Sequence, residues 1–153
     1  MRNKQKGFSL IELLIVVAII LIIAAIAIPN LMRSKMAANE ASAVASLRTI
    51  NTSSVSFSTT YGAFPTALSQ LGPSSTPSST AADLLDSVLA TGTKSGYTFT
   101  FTPGSGATAG TAYSVNADPV SSSTGQRHFY TDQTLVIRAN TSTAATSGSN
   151  PIG

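Results

Sequence analysis

The sequence has no cysteine and no tryptophan, one histidine, and only six acidic residues in 153. Without cysteine the fold has neither disulfides nor thiolate metal sites, and cysteine usage says nothing about redox compartment. A lone His128 excludes a multi-histidine metal centre or a His-rich catalytic group. Charged residues make up only 10% of the chain and mean hydropathy is +0.23. That balance is unusual for a free-living soluble protein. Its cause is local, because residues 13–28 are sixteen positions without one polar or charged side chain.

Positive charge is equally uneven. The formal charge is +3, and Arg2, Lys4 and Lys6 account for all of it. The remaining six basic and six acidic residues balance. A nucleic-acid reader carries a basic patch or stripe, and here only Arg33 and Lys35 are clustered. No nucleic-acid site is expected.

A short basic head before an apolar run directs a chain to a membrane with its N-terminus kept cytoplasmic. Residues 8–28 are twenty-one positions, and about twenty suffice to cross a bilayer core. Yet Glu12 sits inside the run, where a carboxylate is costly. A cleaved secretory signal would use Ala25-Ile26-Ala27 as its cut site, but the run is long for a signal core. A plain signal anchor would tolerate Glu12 near the cytoplasmic end and give it no purpose.

A third reading gives it one. Lys6-Gly7-Phe8-Ser9-Leu10-Ile11-Glu12, with its basic head, its apolar block and the Pro29 that closes it, resembles the processing site of type IV prepilins and their pseudopilin relatives. The resemblance implies that a membrane-embedded prepilin peptidase cuts between Gly7 and Phe8 and methylates the new amine of Phe8. Glu12, four residues on, lies one helical turn away on the same face. The resemblance further implies that Glu12 of one subunit meets the Phe8 amine of a neighbour. An unpaired carboxylate in an apolar bundle costs several kcal/mol, so the pair would set register by penalising wrong staggers.

Pro29 removes a backbone donor and clashes with the carbonyl four residues back, which predicts a kink or local melting. Beyond it Met36, Ala43, Leu47, Ile50, Phe57 and Tyr61 form one apolar stripe of an amphipathic helix, with Gly62 as terminator. Residues 73–80 are a Pro/Ser/Thr loop. Residues 80–90 read as a short helix capped by Thr80. Then the period becomes two: Tyr97, Phe99 and Phe101 alternate with threonines, and strands are expected at 97–102, 113–117, 127–131 and 135–138. The expectation is an α+β protein, a long N-terminal helix kinked near Pro29 and packed on a small antiparallel sheet of three to four strands. Its segments are a cleaved leader (1–7), a membrane and filament-core helix (8–28), an amphipathic continuation (29–61), a head (62–139) and a Ser/Thr-rich tail (140–153) that is mobile at its end. Leu47, Ile50, Phe57 and Tyr61 would form the head's core stripe.

No motif proposes catalysis, a metal or a cofactor. His128 beside Arg127 and Phe129 reads as a strand position, residues 104–106 as a hairpin turn, and the scattered aspartates as no calcium site. Phe57, Tyr61 and Phe64 read as core filler. The covalent chemistry at Gly7 and Phe8 would belong to another enzyme. The resemblance thus implies a non-enzymatic type IV pilus subunit, held in the inner membrane before assembly and in an extracellular homopolymer afterwards. Its partners would be copies of itself, the peptidase/methyltransferase and the assembly machinery. Adhesion, motility or DNA uptake would be filament properties. The rivals are a pseudopilin of a type II secretion system and a membrane-anchored binding module that never polymerises.

Overall fold

The structure is a computed structural model and describes residues 7–152. Helix α1 spans Leu10–Tyr61. By internal contacts the chain divides after Lys35 into two compact units.

The first unit is the apolar part of α1. It is long and apolar enough to cross a membrane, with a mean hydropathy of 3.3 over its most apolar stretch and none of that stretch buried within the chain. The helix continues through Pro29 without a break, so the local melting expected there does not occur. The leader positions before Gly7 lie outside the described residues.

The second unit, from Met36 onward, pairs the rest of α1 with an antiparallel meander. Its strands are β1 (Thr93–Lys94), β2 (Tyr97–Pro103), β3 (Tyr113–Pro119), β4 (His128–Asp132), β5 (Arg138–Asn140) and β6 (Asn150–Pro151), each paired with the next. The sheet therefore has six strands rather than three to four, because two-residue strands were added at each edge. Ala43, Leu47, Ile50 and Phe57 of α1 are buried, with Tyr97, Phe99, Tyr113, Val115, Ala117 and Phe129 of the sheet in the same core. Tyr61 packs at its edge, tilted against Phe57.

Local preference opposes this part of the helix. From Asn51 to Thr60 the chain is mostly Ser, Thr and Asn, at roughly 0.5 kcal/mol per residue against helix. Burial of Leu47, Ile50 and Phe57 at about 1.5–3 kcal/mol each offsets that. Exposed threonines 49, 52, 59 and 60 turn their hydroxyls back to the carbonyl four residues earlier. Gly62 ends the helix in the left-handed region, with its N–H on the Ser58 carbonyl.

Two polar anchors tie helix to sheet. Asn51 is buried, donates to Thr131 Oγ1 at 2.8 Å and accepts from the Tyr113 hydroxyl at 3.0 Å. Burial pushes the Tyr113 phenol up to about 12. Ser54 Oγ, buried beside it, partly counters that shift yet has no hydrogen bond of acceptable geometry. The second anchor is Glu40. Its carboxylate accepts from Arg127 Nε at 2.7 Å and from the backbone N–H groups of Gln126 and Arg127. Asn39 adds a bond to the Thr124 carbonyl.

Burial alone would raise the Glu40 pKa, but those three donors outweigh it and hold the group below its ordinary 4.5. The ionised form is thus the one the fold favours. Its contribution is fully present above the unfolded pKa and is lost as pH falls through the folded one. Denaturation midpoints followed from about pH 6 to about pH 3 should drop in the acid range, and less steeply for Glu40→Gln. Equal slopes for both proteins would show that Glu40 has no part in acid sensitivity.

Three local expectations are corrected. The helix expected over residues 80–90 is only α2 (Ser87–Ala90), because Asp83 takes a left-handed conformation (φ 55°) and Asp86, not Thr80, caps the helix through the Leu89 N–H. The last strand pair shifts from 135–138 to Arg138–Asn140, since Leu135 is itself left-handed (φ 66°) and still belongs to the turn. The segment after Asn140 returns to the sheet as β6 instead of trailing away. Ala145 is buried, Asn116 bonds to its carbonyl, and Arg138 bonds to that of Ser149.

Candidate processing and assembly site

Gly7, Phe8 and Ser9 precede α1 and belong to no regular element. Phe8 is 75% exposed. A Cβ placed on Gly7 would touch nothing, and its φ lies outside the left-handed region. The fold therefore has no need of glycine at this position.

Glu12 is the third residue of α1, and Ser9 takes the cap position before it. The Ser9 N–H donates to Glu12 Oε2 at 2.9 Å, while the Ser9 carbonyl accepts from Leu13 N–H at 3.2 Å. This is half of a capping box, a carboxylate in the first turn reaching back to the cap's own N–H. The helix N-terminal dipole also favours a negative charge there. Ser9 was not among the expected functional residues, although Ser9-x-x-Glu12 is the sequence signature of this cap. Oε1 of Glu12 has no hydrogen bond among the described residues and is left for another donor.

The remaining expected residues are spread along the chain. Pro29 lies in the exposed apolar part of α1. Leu47, Ile50 and Phe57 are buried in the head, and Tyr61 is half-buried. Gly7, Phe8 and Glu12 stand together at the start of α1 with Ser9 between them, and Leu47, Ile50, Phe57 and Tyr61 meet in the head core. His128 in β4 pairs with Asp118 in β3 through Nδ1 at 2.6 Å, a cross-strand contact. The described residues contain no cluster of three or more metal-ligating acids and histidines.

Residues 2–28 match the family model of the prokaryotic N-terminal methylation motif. The chain is 62% identical over 40 residues to the type IV wide pilus major component PilA4 of Thermus thermophilus, covering 26% of this chain and 30% of that one. It is 46% identical over 54 residues to the type IV major pilin protein PilA of Myxococcus xanthus, covering 35% and 24%. Each similarity thus spans about a quarter to a third of either protein. The N-terminal segment of the chain thus carries the methylation motif and is similar to the corresponding segments of these two type IV pilins.

Proposed function

We propose that the chain is the structural subunit of a type IV pilus, cut after Gly7, methylated on Phe8 and polymerised through its apolar helix. The carrying observation is the start of α1. A glycine that the fold does not need stands outside the helix, directly before a wholly exposed apolar segment. Lipid covers that segment first, with the N-terminus cytoplasmic and the head outside. Neighbouring helices replace the lipid in the extracellular filament, and Pro29 supplies slack for bending. The subunit's role is structural, and the covalent chemistry is supplied by the peptidase. The names of both relatives agree with this assignment.

In the uncut chain Glu12 is a helix cap. Cutting at Gly7 creates a cationic amine at Phe8, and the free Oε1 of a neighbouring subunit's Glu12 receives it. The two duties separate by substitution, because glutamine can serve the capping box as glutamate does but carries no charge. Glu12→Gln should leave the membrane-held subunit intact and processed while lowering the yield of sheared filaments more than about tenfold, the effect of roughly 1.4 kcal/mol per contact. Wild-type yield from Glu12→Gln, with loss only in Glu12→Ala, would reduce Glu12 to a cap.

A further inference from the structure

Acidic and basic side chains in the head fall into three pairs, two groups held by neutral partners, and a remainder of two. Lys94 meets Asp86 at 2.9 Å, Arg127 meets Glu40 at 2.7 Å, and His128 meets Asp118 at 2.6 Å. Arg138 is held by the Ser149 carbonyl, and Asp132 by Thr134 and Tyr130. Among the described residues from Met36 onward this leaves one cation and one anion, Arg48 and Asp83, whose side chains have no ion or hydrogen-bond partner.

Arg48 stands beside exposed apolar surface. Arg48 lines a groove of about 450 Å³ with Asn51, Thr52, Val55 and Leu135. Val55 is 39% exposed and Leu135 49%. Leu135 holds its left-handed backbone (φ 66°) where glycine would sit without strain. That strain keeps an apolar side chain at the groove's rim instead of none. Asp83 is likewise left-handed, and five residues on Val88 of α2 is 54% exposed.

The two patches lie on opposite flanks of α1. Ser53 donates to the Leu84 carbonyl, which puts the Asp83 loop over the Ser53 side of the helix. At about 100° per residue, Arg48 and Val55 are roughly 140° and 160° round from Ser53. Surfaces that differ and face apart cannot mate by a two-fold axis. They join head to tail, and a head-to-tail contact that does not close makes a filament.

We infer that the Arg48–Val55–Leu135 groove of one head receives the segment from Asp83 to Val88 of a second copy. This rests on the filament reading and names which faces of the heads meet. An exposed ion pair contributes little by itself, so Arg48 and Asp83 set register while apolar burial supplies the affinity.

The absence of cysteine gives a clean test in the full chain. Cells producing the double variant Arg48→Cys, Asp83→Cys are sheared, and the released filaments are treated with a short bis-maleimide and separated under denaturing conditions. A ladder of multimers is expected from the double variant. Arg48→Cys or Asp83→Cys alone should stay monomeric, because each position meets the other and not itself. Filaments that form without a ladder, or a dimer from a single variant, would overturn the inference and leave the filament reading standing. If the double cysteine variant makes no filaments, charge reversal decides. Arg48→Asp and Asp83→Arg should each lower filament yield about five- to tenfold, and together restore it to within about twofold. No restoration would sink the pairing. Failure of the wild-type chain to form filaments would instead remove the reading on which it rests.

Discussion

Gly7→Val is expected to leave the chain uncut. The structure has open space where the new side chain would go, and the Gly7 backbone suits any residue. Folding of the head and insertion of the apolar helix should therefore be unchanged. The whole effect should fall on the peptidase, whose site must accept the residue before the cut. Steric discrimination of added methyl groups reaches about a hundredfold, and valine adds three carbons to a site read as glycine. Intact mass of the membrane fraction would then show only the full-length species, with Gly7→Ala partly processed. A valine variant cut as fast as wild type would show that the glycine is incidental, and the exposed stretch before α1 would lose its meaning.

Asn51→Leu carries the largest expected loss of head stability. The two side chains are close in size, so packing is nearly kept, but Thr131 Oγ1 and the Tyr113 hydroxyl would both lose their partner inside the core. Each buried orphan costs about 1–3 kcal/mol, giving about 2–6 kcal/mol for the pair. Tyr113→Phe leaves only the Asn51 carbonyl oxygen unsatisfied there and should cost about half as much. Denaturant titration of the detergent-solubilised full chain, followed by tyrosine near-ultraviolet circular dichroism, measures both. Equal stability of Asn51→Leu and wild type would mean that the network contributes nothing net.

These two positions also show what the sequence displays and what it hides. The stripe through Leu47, Ile50 and Phe57 repeats at helical spacing, and Tyr97 and Phe99 alternate with threonine, so burial on one face is visible in the pattern itself. Gly7, Phe8 and Glu12 stand out in the sequence because they fall in one short linear stretch, within the residues that match the methylation motif. Asn51 and Ser54 are invisible by the same logic: they are polar residues on the buried side, and the partners of Asn51 lie 62 and 80 positions away. Glu40 is hidden for the same reason, since Arg127 follows it by 87 residues. The edge strands gave no signal because two residues carry no period, and proline in β6 argues against a strand anywhere except an edge. The helix expected from Thr80 failed at Asp83. Its left-handed backbone breaks a pattern that the spacing of Leu84, Leu85 and Val88 seemed to support. Ser9 differs, because its capping signature, Ser9-x-x-Glu12, is visible in the sequence itself.

The most direct test of the whole account is the intact mass and N-terminal sequence of the protein in material sheared from the cell surface. The account predicts filaments whose subunits begin at a methylated Phe8. A chain found only in membranes, with the residues before Phe8 still attached, would contradict it. Glu12 would then be nothing more than the cap of a membrane anchor.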